Sequence, residues 1–183
     1  MRNMTWILFL LITVLCWGLY GIFLHKGSVG MADKELGRYK AFLLVGIAYF
    51  VVAVVAPWIM IVMKGGSGKF WQYPGAGVKW SFIAGVLGAV GAFGVLLSLG
   101  ALFSIKAANP PAIVMSLVFG LAPVVNAVIA LGMHPPEGGY GVIKPQFYLG
   151  LLCAALGAFL VMKFKPGEAP PAAKKNAAAK VAE

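Results

Sequence analysis

The chain has 183 residues, of which 61% are hydrophobic and 11% charged, and it carries a net charge of +10. A soluble domain is about half apolar and about a quarter charged, so this composition excludes an ordinary water-soluble fold. Two histidines (His25, His134) and five carboxylates (Asp33, Glu35, Glu137, Glu168, Glu183), all in connecting segments or the tail, leave little material for chemistry that needs clustered titratable groups. No enzymatic activity, cofactor or metal site is therefore expected. Cys16 and Cys153 lie in apolar runs without a CxxC or Cys/His neighbour and are expected to act as small buried hydrophobes. The cations punctuate the gaps between apolar runs, which points to a membrane partner and against nucleic acid.

The first apolar run, residues 6–24, is about 28 Å long as a helix and matches a hydrocarbon core about 30 Å thick. It follows Arg2 but lacks a small-x-small cleavage site, so it is expected to be retained as a span. Thr13, Trp17 and Tyr20 share one of its faces. The second run, residues 41–63, contains Tyr49 and also Pro57, which cannot donate to the Ala53 carbonyl. After it, Gly65-Gly66-Ser67-Gly68-Lys69 has the look of a phosphate loop. Met63 and Phe70 stand where that motif needs glycine and Ser or Thr, so a flexible loop is expected.

The third run, residues 80–105, carries Gly85, Gly88, Gly91, Gly94 and Gly100 with Ser98. Such small residues allow close backbone approach and predict a central helix packed on several neighbours. Trp71, Tyr73 and Trp80 before it suit the membrane interface. In the short connection that follows, Asn109 is expected to cap the fourth run, residues 111–133. There Ser116, Phe119, Pro123 and Asn126 recur at spacings of three and four, hence on one face, and Pro123 leaves the Phe119 carbonyl without its helical donor. The fifth run, residues 145–162, opens with Phe147 and Tyr148 as interfacial anchors. Residues 166–183, rich in Ala, Lys and Pro, are expected to form a disordered basic tail. The expected fold is an all-α integral membrane protein, a bundle of five transmembrane helices within residues 1–165.

Five cations (Arg2, Lys64, Lys69, Lys79, Lys144) fall on the side of the N-terminus. Ten fall on the other: Lys26, Lys34, Arg38, Lys40, Lys106 and the five after the last span. The positive-inside rule then places the N-terminus outside and the C-terminus in the cytoplasm, in the plasma membrane. Thr13, Trp17, Tyr20, Tyr49, Ser98, Ser116, Phe119 and Asn126 are the candidate solute-binding residues, with Pro57 and Pro123 as candidate hinges, because transporter sites lie near mid-membrane beside interrupted helices.

Short motifs carry a resemblance. Trp17-Gly18-Leu19-Tyr20 with Lys26 after it, Arg38 before the second span, Ala107-Ala108-Asn109-Pro110-Pro111-Ala112, Leu121-Ala122-Pro123-Val124, and Gln146 with Gly150 together resemble the EamA-type drug/metabolite transporter repeat over residues 6–165. The glutamate often found directly after the fourth helix of that repeat is displaced here to Glu137, in a Pro/Gly-rich connection. The resemblance implies half a transporter, acting as a homodimer or with a second five-span half around a solute site. No Asp or Glu lies within a span, which argues against proton-coupled export of cations. Movement of a small neutral or anionic metabolite by alternating access is the expected function, and an accessory subunit of a larger membrane complex is the alternative.

Overall fold

The computed structural model describes residues 4–164. Arg2, Asn3 and the Ala/Lys/Pro segment expected to be disordered lie outside the described residues. Within them the chain forms α1 (Thr5–Gly30), α2 (Gly37–Phe50), a π-helical turn (Val51–Val55), α3 (Ala56–Met63), α4 (Gly75–Ser104), α5 (Pro110–Met133) and α6 (Pro145–Phe164). Two single-turn 3-10 segments, Phe70–Gln72 and Tyr140–Val142, lie in the connections. Because α2, the π turn and α3 form one continuous helix, Gly37–Met63, five helices are long and apolar enough to cross a bilayer. The chain is thus an all-α multi-pass membrane protein, with four of the expected spans inside these helices and the third, residues 80–105, running one residue past the end of α4.

The helical form follows from the solvent. Hydrocarbon offers no hydrogen-bond partners, so every backbone amide must be satisfied within its own segment. Hydroxyls on the spans meet the same demand locally. Thr13 Oγ1 donates to the Phe9 carbonyl at 2.9 Å, and Ser28 Oγ to the Leu24 carbonyl at 2.8 Å.

The two prolines within spans are accommodated differently. Ahead of Pro57 the helix widens, and the Ala56 amide donates five residues back to the Val51 carbonyl. The wider turn relieves the clash between the proline ring and the preceding turn. Pro123, in contrast, sits inside an unbroken α5. Of the two hinge candidates, only Pro57 adjoins an irregular turn.

Helix ends are closed by main-chain motifs. After α4, Lys106 adopts φ +53, its amide donates to Phe103 at 3.0 Å, and the Ala107 amide donates to Leu102 at 2.9 Å. This is a Schellman closure with lysine in the place usually held by glycine. Gly65, φ +74, closes α3 in the same way. Asn109 does not cap α5 with its side chain as expected. It lies in the left-handed region, φ 50 and ψ 60, which asparagine tolerates, and its carbonyl accepts from the Ala112 amide at 3.1 Å.

The chain divides into two compact units, Met1–Ala101 and Leu102–Glu183. In the first unit α1 packs on α2. Gly37 makes that contact close, since a Cβ there would lie 2.7 Å from the Ser28 carbonyl oxygen. Leu24 and Ala41 are buried at the same contact. Phe42 meets Phe93 of α4 with ring centroids 5.5 Å apart, and the Arg38 side chain lies over Gly100.

In the second unit α5 packs on α6. Half-buried Leu117, Gly120, Val124, Ala127 and Leu131 alternate at spacings of three and four along α5. Leu151, Ala154, Ala155, Ala158 and Met162 do the same along α6. The closest approach is at Gly120, where a Cβ would fall on the Ala158 methyl and 3.1 Å from the Ala154 carbonyl oxygen.

Two sequence expectations are corrected. A Cβ at Gly85, Gly88, Gly91 or Gly94 would meet nothing within 4 Å, so among the described residues this glycine run packs on no neighbour. The buried residues of α4, Ala92, Val95, Leu96 and Leu99, lie in its C-terminal half. Cys16 and Cys153 are free thiols and exposed, because none of the helices is enclosed on all sides.

These two glycine environments predict opposite outcomes. Gly120→Ala should overpack the α5–α6 contact and cost about 1–3 kcal/mol in a reversible unfolding titration of the purified protein. Gly85→Ala should change stability by less than about 0.5 kcal/mol in the same titration.

Candidate functional site

An open groove of about 320 Å³ runs between α1 and α2. Its walls are Tyr20, Phe23, Leu24, Gly27 and Met31 on one side and Ala41, Leu44, Val45 and Ala48 on the other. On α1 those positions follow the three- and four-residue spacing of a single face. At the inner end stands Tyr20, whose ring lies 5.7 Å from that of Trp17 at an interplanar angle of 47°. The Tyr20 hydroxyl is buried and has no hydrogen-bond partner. A buried hydroxyl left unpaired costs about 1–3 kcal/mol, so its presence one turn inside the apolar boundary at Leu24 is the most informative polar feature of this unit.

The other site candidates are distributed as follows. Trp17 is at hand beside Tyr20, and Tyr49 is 41% exposed on the segment one residue past Ala48 of the groove wall. Thr13 is exposed and spends its hydroxyl on its own helix. Ser98 is exposed on α4. In the second unit Ser116 is half-buried, while Phe119, Pro123 and Asn126 are exposed and lie off the stripe that α5 presents to α6. The first unit therefore gathers Trp17 and Tyr20 into one aromatic corner.

The glycine-rich segment after α3 is held by its own side chains. Tyr73 donates its hydroxyl to the Ser67 carbonyl at 2.9 Å, Ser67 Oγ donates to Gln72 Oε1 at 3.2 Å, and the Trp58 indole occupies the space beside Gly68. Tyr73, expected only as an interfacial anchor, thus also closes this loop.

Charge concentrates in the turn between α1 and α2, which carries Asp33, Lys34, Glu35, Arg38 and Lys40, with Lys26 in the last turns of α1. Asp33 organises the turn. Its Oδ1 accepts from the Leu36 and Glu35 amides at 2.9 and 3.0 Å, and its Oδ2 pairs with Lys40 Nζ at 2.7 Å. The Leu36 amide first, and then the Lys40 ammonium, hold the Asp33 carboxyl below its ordinary 3.8, at about 2. Arg38 is different. It stacks on the Tyr39 ring at 4.9 Å, and its Nε is buried without a hydrogen-bond partner. Among the described residues no three His, Cys, Asp or Glu side chains come together as a metal site would require.

Comparison of the chain with protein-family models, curated proteins and solved structures gives no match.

Two predictions arise here. Because the Asp33 carboxyl is lowered in the folded turn, its contribution is full above about pH 3.8 and is lost as pH falls toward 2. Hydrogen exchange at the Leu36 and Glu35 amides, corrected for intrinsic rates, should lose protection across that window, and Asp33→Asn should abolish the pH dependence. Tyr20→Phe removes the unpaired hydroxyl and should stabilise the protein by about 1 kcal/mol in the unfolding titration.

Proposed function

We propose that this protein is one half of a membrane transporter that moves a small neutral or anionic metabolite by alternating access, in a homodimer or with a second five-span half. The observation that carries this reading is the Tyr20 hydroxyl, buried and unpaired beside Trp17 within a membrane-spanning helix. A protein that served only as scaffold would gain stability by losing that hydroxyl, whereas a solute site gains a hydrogen bond from it. The irregular turn before Pro57 supports the reading, because interrupted spans line transporter sites. The lack of any span carboxylate favours neutral or anionic solutes over proton-coupled cations.

The placement of this unit is the plasma membrane, with its N-terminus outside and its C-terminus in the cytoplasm, supported by the ten-to-five division of cations. The open glycine face of α4 is where a second half would dock, since small residues are the usual means of close contact between membrane helices. That same face also suits the alternative, an accessory subunit that binds unrelated helices in a larger complex.

Proteoliposomes preloaded with sugars, neutral amino acids, organic acids and sugar phosphates test the proposal by counterflow. At least one solute should exchange above protein-free vesicles, and Tyr20→Phe and Trp17→Ala should each lower that exchange about tenfold or more, in keeping with the loss of a buried solute contact. Absence of exchange for every class, together with stable co-purification with unrelated membrane subunits, would favour the accessory role.

A further inference from the structure

The groove between α1 and α2 has a length, a lining and a charged rim that no small solute requires. From Tyr20 to Met31 it follows α1 for about eleven residues, which is about 16 Å of helix. The groove runs from Tyr20, one turn inside the apolar boundary at Leu24, out past that boundary to Met31 at the headgroup level. Along that length its walls are Phe, Leu, Val, Met, Ala and Gly side chains, and Tyr20 closes its inner end. Apart from the Tyr20 hydroxyl at its inner end the channel is apolar along its length, and it matches a hydrocarbon chain.

At the outer end the groove meets Lys34, Arg38 and Lys40 against two carboxylates, Asp33 and Glu35, with Lys26 on α1 about halfway along its length. Asp33 is committed to Lys40 and to two backbone amides, so it neutralises neither Arg38 nor Lys26. Arg38 stands one turn before Ala41 and shares its face with Ala41, Val45 and Ala48 of the groove wall. Its Nε is buried without a partner, although a planar guanidinium is well suited to phosphate oxygens. An apolar slot about 16 Å long that crosses the membrane boundary, with cations at its mouth, is complementary to an anionic amphiphile.

We propose that the α1–α2 groove binds a single anionic phospholipid, one acyl chain lying along Met31 to Tyr20 and the phosphate held at the rim by Arg38, with Lys26 and Lys34 around it. Basic pockets between spans that open at the headgroup level are the general form of such sites. This binding does not depend on transport and is read without it.

The test uses the full-length protein in nanodiscs of equal parts palmitoyl-oleoyl phosphatidylglycerol and phosphatidylcholine, released for native mass spectrometry. The unaltered protein should retain phosphatidylglycerol in preference to phosphatidylcholine. Arg38→Gln, and Lys26→Gln with Lys34→Gln, should reduce the retained phosphatidylglycerol about fivefold for each cation removed. Ala48→Phe, which narrows the inner end at an exposed position and leaves every charge in place, should also release the lipid. Equal retention of the two lipids by the unaltered protein would overturn the proposal, and that result needs no variant to fold. Undiminished phosphatidylglycerol in the folded Ala48→Phe protein would overturn it too, as would a groove filled by a second copy, seen as a lipid-free dimer that Ala48→Phe dissociates.

Discussion

Hydrocarbon cannot solvate a peptide bond, and almost every feature of this chain follows from that single deficiency. Backbone amides must pair inside each span, which makes every span a helix. Once they are paired, apolar side chains gain little by leaving lipid for protein, so helices cohere only where their backbones come close enough for extensive dispersion contact. Among the described residues that condition is met where α1 meets α2 and where α5 meets α6. Gly37 brings the start of α2 against the Ser28 carbonyl at the end of α1, and Gly120 brings α5 against Ala154 and Ala158 of α6. Elsewhere large apolar side chains such as Leu43, Phe82 and Leu87 are mostly exposed, a state that water would penalise and lipid does not.

The same deficiency explains where polar groups can stay. Thr13 and Ser28 turn their hydroxyls back on carbonyls of their own helices, and Asp33 and Lys40 pair outside the spans. Against that background Tyr20 and Arg38 stand out, because each keeps a buried polar atom without a protein partner. One lies at the inner end of the α1–α2 groove and the other near its mouth. The proposed lipid would satisfy the guanidinium, and the proposed solute the tyrosine hydroxyl on the Trp17 side.

How much of this could be read from the sequence depends on the feature. The five spans were legible, because a hydrophobic run of about 20 residues has few other uses. Their ends were less so. The first helix runs on to Gly30, well past the apolar boundary at Leu24, since a Lys26 side chain can reach the headgroups without ending the helix. Asn109 has the right residue type for a capping side chain, yet the left-handed backbone that follows the Lys106 closure redirects it. The widened turn before Pro57 was foreshadowed only by the proline itself, as the five valines and alanines of Val51–Val55 carry no signal for it.

Least legible was which face of each helix packs. A helix that is apolar all round, as α4 is, gives no amphipathic stripe from which to read its neighbours. Small-residue spacing is then the remaining clue, and it does not discriminate. Gly120 and Gly85 are the same residue in similar apolar surroundings, but one lies against Ala158 and the other against open space. The signal states that a close approach is permitted; whether it occurs is decided by the partner helix, which for α5 is supplied by Ala154 and Ala158 of α6. Among the described residues no such partner lies against Gly85, Gly88, Gly91 or Gly94 of α4, so the same small-residue signal stands there without a contact. In the proposed half-transporter the ten-to-five bias of cations favours one insertion direction, and helices meeting that face would come from a chain inserted oppositely or from a parallel copy of this one.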